Sequence, residues 1–390
     1  MLAAVIGGGL QGVEAVYLAK KADWDVLLID KNQDIPALGL CDRFVHADVR
    51  TITDPGPVFK GVDIIIPALE NDEALNHLCE WKHQSVLNRP LAFDRDAYQI
   101  SSSKISSNNL FADLDIPRPL PWPGCDFPVI AKPSFGSGSK DMMIFNTSDE
   151  INKFIEMDKC YPTDKWVIQE YIFGPSYSLE IIGMPGSYQP FQVTELEMDA
   201  GYDCKRVIAP AMLEEKKMRE LKILTQKIAH AINLKGIMDV EVIFHNGQLK
   251  VLEIDARLPS QTPIAVYHST GINMVERLAD QFLNTSQKED TGKINKVKYV
   301  ILEHIRVTPQ GIYVEGEHIM KGHGSPLHVE ENFFGADEAI TNYKRGREQW
   351  VATLVISAKT PEDVFAESQN VITAIKNHFN IEKTVDINPY

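Results

Sequence analysis

Apolar and polar positions along this chain follow two rhythms. Leu2–Ile6, Asp25–Asp30 and Val62–Pro67 are short apolar runs, while Gly12–Lys21 and Asp72–Trp81 carry apolar residues at helical spacing. Short apolar strands alternating with helices predict a parallel, doubly wound α/β sheet over residues 1–90. The polar stretch Ser101–Asn109 leads to the proline-rich piece DIPRPLPWPG at 115–124, which reads as a subdomain boundary. Beyond it the pattern predicts strands at Val129–Lys132, Trp166–Tyr171 and Tyr177–Ile182, and a helix near Ser148–Met157. A long helix follows over Leu213–Ile232. Residues 286–298 are polar and read as a linker. The last hundred residues begin with a strand at Tyr299–Val307. They end with a strand at Trp350–Ser357 and a helix that starts at Thr360-Pro361-Glu362-Asp363 and runs to about Phe379.

The segment Gly236–Pro259, GIMDVEVIFHNGQLKVLEIDARLP, says most about chemistry. Asn246-Gly247 between alternating runs predicts a hairpin. Strand side chains alternate faces, so Asp239 and Glu241 share one face of the first strand, and Glu253, Asp255 and Arg257 share one face of the second. Crowded carboxylates repel and need cations. Oxygen-only ligands suit Mg²⁺ bridging to phosphates, and the arginine suits a phosphoryl group or a carboxylate. The bland alternative is a hairpin with its charges in solvent.

Composition narrows the partners. With 390 residues the prior is two to three domains, and a net charge of −15 argues against nucleic acid or an anionic membrane surface. Five widely spaced cysteines without a CxxC pair favour reduced thiols, hence a cytoplasmic protein without a disulfide frame or zinc site. The start, MLAAVIGGGLQGVEAVYLA, lacks a basic leader region and is broken by glycines, so it reads as strand, turn and helix; no run of about 18 apolar residues predicts a membrane span.

Four shorter elements add candidates. Gly7-Gly8-Gly9-Leu10-Gln11-Gly12 satisfies GxGxxG between strand and helix, and Asp30 closes the next strand. Alone, this predicts a nicotinamide dinucleotide site and an amino-acid dehydrogenase. The same N–H groups equally suit a substrate carboxylate, and the glycines suit simple helix–sheet packing. Lys132 ends an apolar strand before the small-residue loop Ser134-Phe135-Gly136-Ser137-Gly138-Ser139, which suits phosphates, although a flexible surface hairpin explains it as well. Gln169-Glu170-Tyr171-Ile172 suits an adenine hinge, with Ser178 and Glu180 on the next strand in reach of a ribose or a metal; an ordinary core strand is the alternative. Lys104 alone would be a solvated helix lysine.

In order along the chain, Lys104, Lys132 with its loop, Gln169-Glu170-Tyr171, Glu241, Glu253, Asp255 and Arg257 resemble the ATP-grasp superfamily over roughly residues 90–285. The resemblance implies an α/β ATP-grasp fold in three parts: a Rossmann-like pre-ATP-grasp domain at 1–86, the ATP-grasp domain at 87–288 with a flexible lid at about 110–175, and a small α+β domain at 289–390. It implies that Lys104 and Lys132 contact the α- and β-phosphates of ATP, with Ser134–Ser139 closing over them. Glu170 and the backbone near Ile172 would hold adenine. Glu241, Glu253 and Asp255, with Asp239 beside them, would hold two Mg²⁺, and Arg257 would face the reacting phosphoryl group. Ser103 stands where many members have aspartate, and Asp255 where asparagine is common. The likeness extends to amino-acid ligases of the superfamily over the whole chain, including VIGGGLQGVEA, IIPALEND (65–72) and LEIDARLPSQTP (252–263). It implies a carboxylate–amine ligase acting through an acyl phosphate on D-ornithine or 3-methyl-D-ornithine and L-lysine. For these substrates Glu70 is the candidate ammonium partner, Glu14 a second, and the Leu10-Gln11 backbone a carboxylate site; Arg206 and His304 are placed along the cleft. A carboxylase of the same superfamily and an ATP-sensing module without turnover are the other options. The acidic surface allows a homodimer without demanding one.

Overall fold

The computed structural model describes all residues except 85, 87, 137–140, 159–164, 284–296, 323–325 and 390. The expected linker at 286–298 and the loop residues Ser137, Gly138 and Ser139 therefore lie wholly or mostly outside the described residues.

The first ninety residues build a four-stranded parallel sheet in the order Arg43–His46, Asp25–Asp30, Leu2–Ile6, Ile64–Pro67. Three of the strands are short apolar runs because helices cover both faces, while the edge strand Arg43–His46 is not buried. Leu10–Lys21 packs Val16 and Leu18 against one face, and Asp72–His83 packs Leu78 and Trp81 against the other. Asn71 caps the second helix by accepting from Ala74 N–H at 2.9 Å. Two helices follow, capped by Asp94 and Ser103: Arg95–Ser101, which the pattern does not predict, and Lys104–Asp113, which covers most of the polar stretch and carries the expected helix lysine. Periodicity is weak in the second, which buries only Ser107 and Phe111.

A three-stranded antiparallel sheet, Met143–Phe145, Val129–Pro133, Trp166–Glu170, forms a small separate layer. It has its own apolar core of Val129, Ala131, Ile151 and Ile168 beneath Phe154 and Trp166.

The largest sheet has 12 strands and runs without a break from the carboxylate hairpin into the last hundred residues. Its central order is Gln248–Asp255, Gly236–His245, Ser176–Met184, Thr194–Met198, Cys204–Ala209, Tyr299–Thr308, Trp350–Ala358. Cys204–Ala209 pairs antiparallel with Tyr299–Thr308, setting Arg206 opposite Glu303. The helix Pro361–Phe379 packs on this end with Thr360 accepting from Asp363 N–H, as the sequence pattern predicts. Among the described residues no helix is long and apolar enough to cross a membrane.

Candidate active site

The carboxylate hairpin turns through Asn246 and Gly247, both at positive φ (49° and 80°), which is the geometry a two-residue hairpin needs. The turn sets His245 opposite Gln248. Continued without interruption, that register would put Glu241 opposite Leu252 and send the two acidic sets to opposite faces. A β-bulge prevents this. Val242 pairs with Val251 but Glu241 pairs with Glu253, so Leu252 is the extra residue. Asp239 then faces Asp255, and all four carboxylates lie on one face of the sheet.

Two lysines neutralise one half of that face. Lys104, first residue of its helix, lies 3.6 Å from Glu253 Oε2 and donates to Gly136 O at 2.7 Å. Its own N–H donates to Ser134 O, fixing the helix start against the loop. Lys132, from the three-stranded sheet, feels Glu253 and Glu241; burial pulls its ammonium below the ordinary value while those acids push it up. Burial raises Glu241 and Asp255 above the carboxylate range, and their neighbours Glu253 and, for Asp255, Glu70 add to it.

The other half belongs to Arg257. Its Nη2 donates to Asp255 Oδ2 at 2.9 Å and pairs with Glu70 Oε1 at 2.6 Å. Gln11 Nε2 donates to the same Glu70 oxygen at 2.9 Å. Gln11, Glu70, Arg257 and Asp255 thus form one chain of contacts joining the glycine-turn sheet to the hairpin. Glu70, the expected ammonium partner, thus meets Arg257 and Gln11 in this structure.

At the glycine turn, Asp30 Oδ2 accepts from Gly8 N–H and Oδ1 from Asn32 N–H, both at 2.8 Å. The acid that would grip a ribose instead closes the turn, and Ile35 fills the space beside Gly8, where a Cβ would meet its Cδ1 at 2.3 Å. That removes the dinucleotide reading. Gly9 has open space beside it, and neither Gly9 nor any side chain caps the helix that begins at Leu10, so this end of the turn is where a carboxylate could dock.

The hinge strand is held from two sides. Glu170 N–H donates to Leu120 O, and its carboxylate accepts from Lys250 Nζ at 2.6 Å and Leu120 N–H at 3.1 Å. With that carboxylate engaged, adenine recognition at Glu170 would fall to its backbone. Gln169 is buried and accepts weakly from Asn108, Tyr171 pairs its hydroxyl with Tyr202, and Ile172 is buried behind them. Ser178 donates to Glu180 at 3.2 Å. Ser134 is buried, its N–H donating to Lys165 O.

Two expected substrate-binding residues are engaged elsewhere. Glu14 is 2% exposed, and its oxygens accept from Gln261 N–H and Ile264 N–H at 3.1 and 2.6 Å, capping the helix Thr262–Thr270. Arg206 spends its guanidinium on Glu197, Glu303 and Asp386. The sequence does not show the first because the capped helix lies about 250 positions away, nor the second because two of the three partners, Glu303 and Asp386, are distant in sequence.

A polar clamp that sequence reading did not find holds the loop after Arg257. Gln261 sits at φ 72°, a strained conformation for a side-chain-bearing residue. Its amide nitrogen donates to Glu317 Oε2 at 3.0 Å, Ser260 Oγ donates to the same oxygen at 2.8 Å, and its carbonyl oxygen pairs with His304 Nε2 at 3.1 Å. His304 is 2% exposed and takes Thr353 at Nδ1. Burial drives its pKa down to about 3, so it is neutral. A folded value below the unfolded value of about 6.5 means its stabilising contribution is complete above pH 6.5 and drains away as pH falls toward 3. Denaturant titrations at pH 7 and 4.5 should therefore show the wild type losing about 2 to 3 kcal/mol more than His304→Asn. Equal losses would mean His304 is not buried as a neutral ring.

Among the described residues no group of three or more acids, histidines or cysteines forms a ready cage for a metal ion.

Several known proteins are similar to this chain. A family model described as an ATP-grasp domain matches residues 102–261. The 3-methyl-D-ornithine–L-lysine ligase of Methanosarcina acetivorans is 33% identical over 96% of this chain and 98% of its own. The enzyme of that name from Methanosarcina barkeri is 31% identical over 96% of this chain and 98% of its own. Among solved structures, an ADP complex of N5-carboxyaminoimidazole ribonucleotide synthetase superposes with a TM-score of 0.70 at 13% identity, covering 97% of each chain. The biotin carboxylase domain of a Hydrogenobacter thermophilus 2-oxoglutarate carboxylase, crystallised as a dimer with MgADP, gives 0.71 at 15% identity, covering 95% of this chain and 89% of that one. These likenesses show the fold, which as a class binds ATP and Mg²⁺. With a third of its residues shared across nearly the whole length, the chain belongs to the ATP-grasp family, among the 3-methyl-D-ornithine–L-lysine ligases, enzymes that form C–N bonds at the expense of ATP.

Proposed function

We propose that this enzyme joins the carboxylate of 3-methyl-D-ornithine, or of D-ornithine, to the ε-amine of L-lysine. The observation that supports it most is the position of Arg257, held between Asp255 of the hairpin and Glu70 of the glycine-turn sheet. One guanidinium there meets both a phosphate-side acid and the wall on which an amino acid would lie.

In the first step a substrate carboxylate oxygen attacks the γ-phosphorus of ATP; the bond to the β-phosphate oxygen breaks, giving an acyl phosphate and ADP. In the second, the neutral lysine amine attacks the acyl carbon, the carbon–oxygen bond breaks, and an amide, inorganic phosphate and a proton result. The protein mainly orients groups and stabilises charge. Lys104 and Lys132 hold the phosphates, with Ser134 and Gly136 beside Lys104. Arg257 takes charge developing on the transferred group. Gln169, the Glu170 backbone, Tyr171 and Ile172 frame adenine, with Ser178 toward the ribose. Glu241, Glu253 and Asp255 would hold Mg²⁺, two ions in all, which when bound offset the triphosphate's charge. The Leu10-Gln11 amides receive an amino-acid carboxylate. The 110–175 segment acts as the lid, the chain divides near residues 86 and 288, and the enzyme works in the cytoplasm, with a homodimer as its assembly.

The test is ADP release from ATP and Mg²⁺ with D-ornithine or 3-methyl-D-ornithine, with and without L-lysine, and the product's mass. ADP with an amide that requires both amino acids is expected. Phosphate release stimulated by bicarbonate, without an amide, would overturn the reading in favour of a carboxylase.

A further inference from the structure

The turn between the strands Thr194–Met198 and Cys204–Ala209 is tied on two sides. Asp199 Oδ1 accepts from Gly201 N–H at 2.7 Å and from Asp203 N–H at 3.1 Å. These bonds hold Tyr202 at φ 61°, a left-handed backbone that a tyrosine adopts only under constraint. Held so, its hydroxyl meets that of Tyr171, on the hinge, at 2.8 Å. On its other side the turn grips the loop 315–318. Asp199 Oδ2 accepts from Gly316 N–H at 2.8 Å, Asp203 Oδ2 from His318 N–H at 3.0 Å, and Cys204 O from Glu317 N–H at 3.1 Å. The fit is close, since a Cβ on Gly316 would meet Asp203 Oδ2 at 2.3 Å. Glu317 is thereby brought to Ser260 Oγ and Gln261 Nε2, on the loop that follows Arg257. Burial lifts the Glu317 carboxyl to about 7 and the charge of Arg257 acts against that, so the two side chains lie within electrostatic reach.

Tyr171, Tyr202, Asp199, Gly316, Glu317 and Gln261 thus form one run of contacts from the hinge to the Arg257 loop. The two ends matter together. Adenine anchors one end of ATP and Arg257 faces the other, and an error of about 1 Å between reacting groups costs about a hundredfold in rate. We propose that the turn 199–203 is a spacer, with Asp199 and Tyr202 as positioning residues that hold the Arg257 loop at a fixed distance from the adenine hinge. Neither touches substrate. This rests on the ligase reading above, including its hinge. Cutting the spacer at either end releases the loop behind Arg257, and attack by the amine slows. Water then competes: its oxygen bonds to the acyl carbon, the bond to the phosphate oxygen breaks, and free amino acid, phosphate and a proton leave without an amide.

The experiment measures ADP released per amide joining the two amino acids, with D-ornithine, L-lysine and MgATP, in wild type, Asp199→Asn, Tyr202→Phe and the double variant. An asparagine oxygen can keep both N–H groups inside the turn, but its amide nitrogen cannot accept from Gly316; phenylalanine loses only the hydroxyl. Wild type is expected to release about one ADP per amide. Each single variant should release at least about three, with kcat for the amide down about tenfold and the KM for ATP within about threefold of wild type. The double variant should match the more affected single one, because a spacer cut once is already cut, whereas two independent losses multiply. A merely destabilised fold lowers all rates together, so a ratio that stays at one would overturn the proposal, as would losses that multiply. If Asp199→Asn does not fold, Gly316→Ala breaks the same contact by steric clash and takes its place. If wild type makes no amide, the ligase reading falls and hydrogen exchange decides the spacer alone. MgADP should then slow exchange at the Gly316 and His318 N–H groups in wild type and not in Tyr202→Phe. Equal protection in both, or none in wild type, overturns it.

Discussion

Arg257→Ala is expected to lower kcat by about a thousandfold or more, with a smaller change in the KM for ATP. Removing one preorganised donor to a transferring group costs on the order of 10²–10³. Here the same residue also neutralises Asp255 and Glu70. Without it Asp255 and Asp239 face each other without their cation, and breaking a buried pair on one side costs about 3–5 kcal/mol. The variant should therefore melt lower than wild type as well as turn over slowly. Arg257→Lys separates the two effects. A single ammonium can replace most of the charge, but it cannot reproduce a planar fork with Nη2 on two carboxylates and Nε free. It should recover most of the melting temperature and little of kcat. Full recovery of both would reduce Arg257 to a charge and remove its place in the chemistry.

Glu253→Gln carries the second large effect. Glu253 pairs across the hairpin with Glu241, lies 3.6 Å from Lys104 and acts on Lys132, so it is the point where hairpin, helix and three-stranded sheet meet. Glutamine keeps the shape but halves the oxygen donors and removes the charge. The expected result is a loss of about a hundredfold or more in kcat, with the half-saturating Mg²⁺ raised at least tenfold and the affinity for MgADP weakened. Free of its acid partner, Lys132 should also titrate lower. Unchanged Mg²⁺ dependence would place the metal elsewhere on the sheet.

The hairpin also shows what the sequence could and could not say. Asn246-Gly247 announced the turn, and alternation gave each strand's acidic face. That the two faces coincide depends on the bulge at Leu252, and nothing in a string of residues marks Leu252 as unpaired. The same limit governs the other misses. Glu14 reads as a polar residue on the first helix, yet it caps a helix that begins at Thr262. Glu70 reads as a partner for a substrate ammonium, and the sequence does not show that Arg257 reaches it from 187 positions away. Strand positions, helix starts such as Thr360 and the glycine turn depend on neighbours in sequence and were legible. Partners brought together only by the sheet were not, nor was the continuity of that sheet from the hairpin into the last hundred residues.

Activation passes through an acyl phosphate, and isotopic labelling tests that step most directly. D-ornithine carrying heavy oxygen in both carboxylate positions is incubated with ATP, Mg²⁺ and L-lysine, and the released phosphate and the amide are weighed. Attack of the carboxylate on the γ-phosphate followed by amine attack predicts one labelled oxygen in the inorganic phosphate and one in the amide carbonyl. Label found in AMP, or phosphate released without label, would contradict activation at the γ-phosphate and with it the roles given to Lys132, Glu253 and Arg257.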